Sequence, residues 1–178
     1  MEYLMTYGWA LLVIVIVIGV LVYINPFKAP EQCVFDQAGF LCEKPILMAG
    51  GALHGTLING NQKAITIMGI ACIKGRTAPD GNSAAWPNYA TFKKDLGYQE
   101  QIDDIGNMTD NGGNAFHVSC VDVTKGTNGV AIFPASATIV LHANDDFSGR
   151  LYVAYKYSDD PDNAVAKVVA ANLVTRAQ

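Results

Sequence analysis

The stretch Arg150–Tyr157, RLYVAYKY, decides how most of this chain is read. Leu151, Val153 and Tyr155 alternate with Tyr152, Ala154 and Lys156. That is the two-residue period of a strand with one face on a core and the other toward water. Similar runs lie on both sides of it. ALHGTLIN (Ala52–Asn59) and KAITIMGIACIK (Lys63–Lys74) read as neighbouring strands joined by a turn at Gly60–Asn61, with Ile65, Ile67 and Met68 packing inward. NAFHVSCVDV (Asn114–Val123), ATIVLHA (Ala137–Ala143), GRLYVAYKYS (Gly149–Ser158) and AVAKVVAANLV (Ala164–Val174) complete the set. The alanines of the last run also suit a helix, but at a chain end it reads as an edge or closing strand. Six or more short strands separated by turn residues predict an antiparallel Greek-key, immunoglobulin-like sandwich.

Between Gly75 and Gly113 the chain is long, polar and without period, yet it holds Trp86, Tyr89, Phe92 and Tyr98. A loop of that length within a compact domain is uncommon unless it is functional or locally structured. It is expected to be an insertion on the outer face, its aromatics packing it onto the sheet rather than forming a ligand platform.

The other end of the chain is written for a different environment. Of 178 residues 51% are hydrophobic, and the first 27 hold a disproportionate share. From Leu4 to Ile24 the polar side chains are those of Thr6, Tyr7 and Tyr23, with Trp9 near the start. At about 1.5 Å per residue this run makes a helix of roughly 30 Å, the thickness of a bilayer's hydrocarbon core. Val13–Ile18 is an unbroken β-branched block that would favour a strand in water. A strand leaves its edges unpaired in lipid, whereas a helix satisfies its own backbone. Asn25-Pro26 supplies the stop. The expectation is therefore an α+β chain. A long N-terminal hydrophobic helix (1–27) precedes an all-β Greek-key head (28–178) that carries a long outer loop at about 75–113. A signal peptide is disfavoured because no basic residue precedes the run, and a buried core helix because no single apolar stripe exists. A plain membrane anchor fits, but leaves Glu2 without a role.

EYLMTYGWALLVIVIVIGVL resembles the start of archaeal type IV pilins that carry a class III signal peptide. In that family a short basic leader is cut ahead of a motif of the form Q-x-S-x-E-x-x-x-L, whose glutamate maps onto Glu2 and whose leucine is replaced here by Thr6. The resemblance implies a homopolymer held by its N-terminal helices, membrane-inserted before assembly and an extracellular filament on the cell surface afterwards. It also implies a prepilin peptidase and assembly machinery as partners. Glu2 would pair with a neighbouring subunit's N-terminal amine and set register, or satisfy the first N–H groups of its own helix. Gly8, Ala10 and Gly19 would let helices approach closely, as small residues do in membrane bundles.

Cys33, Cys42, Cys72 and Cys120 allow three pairings, and an even count beyond a membrane span favours disulfides over free thiols or zinc. The loop CVFDQAGFLC resembles the post-helix loop of the family, which implies Cys33–Cys42 and leaves Cys72–Cys120 to bridge strands. Asn107-Met108-Thr109 is the single N-x-[ST] sequon, so Asn107 is the candidate glycosylation site.

The chemistry of catalysis is not visible. There is no G-x-S-x-G, no phosphate loop and no H-E-x-x-H. His54, His117 and His142 share no ligand spacing, and the acidic turns at Asp103–Asp104, Asn144–Asp146 and Ser158–Asn163 lack the twelve-residue calcium pattern. No catalytic residue, metal or cofactor is expected. Lys+Arg 12 against Asp+Glu 16, a net charge of −4, offers no basic cluster for nucleic acid. The function expected is that of a structural, adhesive filament subunit. The alternative is a monomeric, membrane-anchored surface binding module.

Overall fold

The computed structural model of the chain describes residues 2–24, 31–79, 86, 92–125, 131–132, 139–161 and 163–178, with 2–6, 24, 124–125 and 131–132 described as backbone alone. The chain divides into two compact units, Met1–Pro30 and Glu31–Gln178.

The first unit holds one helix, α1 (Glu2–Ile24). The block Val13–Ile18 is helical despite its β-branched side chains. The expectation of a long hydrophobic helix over 1–27 is corrected. No helix among the described residues is long and apolar enough to cross a membrane. Among the described residues the chain is mostly β, with the single helix α1.

The second unit comprises β1 (Gln32–Phe35), β2 (Phe40–Leu47), β3 (Leu53–Asn59), β4 (Ile65–Lys74), β5 (Lys94–Leu96), β6 (Gln101–Ile102), β7 (Met108–Thr109), β8 (Ala115–Phe116), β9 (Cys120–Val121), β10 (Thr124–Lys125), β11 (Ala131–Ile132), β12 (Asp146–Tyr157) and β13 (Lys167–Arg176). One sheet runs β1-β13-β12-β4-β5, with β9 joined to β4; a second runs β2-β3-β6; β7/β8 and β10/β11 form small ribbons. Between the two main sheets lies a core of Phe40, Leu47, Leu53 and Leu57 from the smaller, against Ile65, Ile67, Leu151, Val153, Val169 and Leu173 from the larger. Each of these apolar side chains is buried, which is the main favourable term in folding.

The Greek-key, immunoglobulin-like arrangement is corrected too. The first strand pairs with the last, β1 with β13, and β9 lies parallel to β4. Strands β3 and β4 are not neighbours: the turn at residues 60–64 carries the chain from one sheet to the other. RLYVAYKY is not half-buried, since Leu151 to Tyr155 are buried on both faces. The second face is covered by a cluster that includes Ala71, Ile73, Trp86, Tyr152 and Ala166. The last strand lies inside the sheet, between β1 and β12. NAFHVSCVDV is broken into β8 and β9, and the described part of ATIVLHA, from Ile139, is not strand. Period-2 patterning tells which residues are strand but not which strands are partners.

The polar stretch after Gly75 supplies an edge strand to each sheet, β5 to the larger and β6 to the smaller. Trp86 and Phe92 are buried as expected of packing aromatics, while Tyr98 is exposed; Tyr89 lies outside the described residues.

The crossing between sheets is organised by Asn59, whose side chain is fully buried. Its amide nitrogen donates to the carbonyls of Lys63 (3.0 Å), Leu96 (3.3 Å) and Gly97 (2.8 Å), and its Oδ1 accepts from the Asn61 amide (3.0 Å). Asn61 Nδ2 then donates to the Gly39 carbonyl at 2.9 Å. Gly39 has φ +116, and a Cβ there would collide with the Asn61 side chain, so both backbone and space require glycine. Replacing Asn59 by Ala leaves buried carbonyls unpaired, so Asn59→Ala is expected to lower unfolding stability by about 2–3 kcal/mol in urea titration.

Candidate functional site

The most unusual surface on the molecule is that of α1. Every side chain from Tyr7 to Tyr23 is exposed, including Leu11 at 66%, Ile14 at 57% and Val22 at 75%. The helix has no polar face set against an apolar one. A helix apolar all round belongs in surroundings that exclude water. Gly8 and Gly19 have nothing within 4 Å of the position a Cβ would take, so both present open backbone. Ala10 is likewise exposed. The side chain of Glu2 lies outside the described residues.

Both disulfides are present: Cys33–Cys42 with Cα atoms 5.6 Å apart and Cys72–Cys120 at 4.4 Å. Cys33 lies on β1 and Cys42 on β2, so the first bridge joins an edge of one sheet to an edge of the other. The second ties β4 to β9 at the register position where Cys72 faces Cys120. No free cysteine is found among the described residues.

Asn107 immediately precedes β7; Asn107 and Thr109 are exposed and Met108 is buried. The alternation of a strand thus puts both polar members of the sequon on one accessible face.

Beside it is a cluster that sequence reading did not find. His54 Nδ1 stands 3.0 and 3.1 Å from the two carboxylate oxygens of Asp104. The Gly106 amide donates to Asp104 Oδ1 at 2.8 Å, and the Gly106 carbonyl lies 2.8 Å from His117 Nδ1. A Cβ on Gly106 would press on the His54 ring, so glycine is what lets the imidazole sit against the turn. Burial pushes the Asp104 carboxyl upward, but the His54 imidazole and the amides of Gly106 and Gly55 outweigh it and hold the pKa below the usual carboxylate value. His54 and Asp104 are fifty residues apart, and no local signal links them.

The remaining acidic turns have structural partners. Asp145 accepts from the His142 amide at 2.8 Å, Asp146 pairs with Arg176 at 2.8 Å, Asp159 with Lys63 at 2.6 Å, and Asp160 accepts from the Tyr157 amide at 3.1 Å. Among the described residues no three His, Cys, Asp or Glu side chains are grouped to hold a metal ion.

Because the Asp104 pKa is depressed on folding, its contribution to stability is present above the ordinary carboxylate range and lost as pH falls through the folded value. Asp104→Asn is therefore expected to cost about 1 kcal/mol at neutral pH, allowing for its partial exposure, and to flatten the fall in stability below about pH 5. Urea midpoints measured across that range check both outcomes.

No family model matches the chain, and neither a curated protein nor a solved structure matches it.

Proposed function

We propose that the chain is the structural subunit of an extracellular, pilus-like filament that polymerises through α1, with the β-rich unit on the outside serving adhesion. The observation that carries this reading is the exposure of an apolar surface on all sides of α1. An apolar stripe is covered by one partner, but a surface apolar all round needs neighbours all round. Packing against several copies of the same helix supplies them. Contiguous exposed apolar surface beyond a few hundred Å² marks an interaction site rather than ordinary protein surface.

Other features suit the same reading. Gly8, Ala10 and Gly19 allow backbones to approach closely at the points where copies meet. Glu2 would then sit in a dry setting, where a carboxylate must find a donor or take up a proton, and a neighbour's N-terminal amine is the donor that would fix register. Two disulfides in the β unit suit an oxidising, extracellular setting. The exposed sequon makes Asn107 the proposed attachment point for a glycan.

A lysine in a packed helix core costs at least about 3 kcal/mol, or roughly a hundredfold in the concentration needed to assemble. Ile16→Lys is thus expected to abolish filaments seen by electron microscopy in sheared, detergent-free material while the β unit keeps its circular dichroism spectrum. Normal filaments from this variant, or wild-type protein that stays monomeric without detergent, would overturn the proposal. Recovery only as detergent-bound monomers would favour the anchored binding module instead.

A further inference from the structure

We propose that Cys33–Cys42 is a thiol-openable latch on the first strand of the β unit, whereas Cys72–Cys120 is a permanent staple of its core. The two bridges differ in what surrounds them. Cys72 and Cys120 are fully buried. The cavity beside Cys72 has a volume of ≈ 30 Å³ and is walled by Ile70, Phe92, Met108, Phe116 and Val118, room for a water but not for a reductant. Cys33 and Cys42 are only half-buried, on strands β1 and β2, where Val34 and Leu41 are 58% and 56% exposed. Thiol–disulfide exchange requires a thiolate to reach a sulfur, so access separates the two bonds.

The topology says what opening would release. Strand β1 lies at the edge of its sheet and pairs with β13 over four residues, Gln32–Phe35. Phe35 stacks against Phe40 with centroids 5.5 Å apart, and Asp36 holds Asn172 Nδ2 at 2.8 Å and Arg150 at 3.3 Å. These contacts keep β1 near its place: Cys33 and Phe35 are partly buried against the core, whose buried members lie on other strands, β2, β3, β4, β12 and β13 among them. The latch thus governs the strand by which residues 1–30 join the β unit, without governing whether that unit is folded. This inference does not depend on the filament reading.

With a dithiol reductant the chemistry closes. One reductant thiolate attacks a sulfur of Cys33–Cys42, forming a mixed disulfide and freeing the other cysteine as a thiolate. The second reductant thiol then displaces the remaining cysteine. The protein gains two electrons and two protons as two thiols, and the reductant leaves as a cyclic disulfide.

The test is to incubate the intact full-length chain with graded dithiothreitol, alkylate, and quantify each cysteine by peptide mass spectrometry. Cys33 and Cys42 are expected to label at least tenfold faster than Cys72 and Cys120. Circular dichroism should be retained, and amide exchange should rise at residues 32–36 and their partners 171–174. Equal labelling of all four, earlier labelling of Cys72 and Cys120, or loss of the fold when the first bond opens would overturn the proposal. The double variant Cys33→Ser/Cys42→Ser gives an independent reading. Native circular dichroism with the same local rise in exchange supports the latch, and failure to fold sinks it.

Discussion

The pairing of β12 with β4 on one side and β13 on the other is what the rest of the β unit depends on. Its registers run from Gly149 to Tyr157 against β4 and from Asp146 to Tyr155 against β13. Leu151, Val153 and Ala154 are fully buried, so the strand is covered on both faces and flanked on both edges. Leu151 stands opposite Cys72, so the disulfide to β9 is anchored directly on this hub. Tyr155 shows how dry the place is: burial, with the neighbouring Tyr157 hydroxyl, pushes its pKa up to about 12. Its ring lies 5.0 Å from Phe40 of β2, which carries the hub's packing across to the second sheet.

How much of this was legible in the sequence follows from the range of each interaction. Strands β3, β4, β12 and β13 were readable because alternation of apolar and polar residues is local. Their neighbours were not. Nothing in ITIMGIACIK says that its partner lies some eighty residues on rather than across the turn at Gly60. The two-sided burial of β12 was hidden because Tyr152 and Ala154 suit either a wet or a dry face. Trp86, which helps to cover that face, comes from a stretch without periodicity. The bridge Cys33–Cys42 was suggested by the family-like loop, and its two cysteines are separated by only nine positions in the chain.

The candidate site divides along the same line. The apolarity of α1 is a property of consecutive residues and could be read directly. Asn59 and the His54–Asp104–Gly106 cluster were invisible. A buried asparagine and a histidine on a strand are common, and their roles arise only from backbone groups brought in from residues 96–97 and 104–106.

The two units treat their surfaces in opposite ways, and this bears on where self-association can arise. The edges of the β unit are each blunted. Strand β1 is four residues long and tied down by its disulfide, and β5 and β6 are three and two residues long. Strand β2 is interrupted where the register shifts between Glu43 and Ile46, with Lys44 at φ 50 followed by Pro45. Short, bulged or proline-bearing edges with charged residues are the devices that stop sheets from adding strands of other molecules. A β unit with its edges closed off and its core filled offers little purchase for strand-to-strand polymerisation. Among the described residues the continuous run of exposed apolar side chains lies on α1, while those of the β unit, such as Val34, Leu41 and Val140, are scattered.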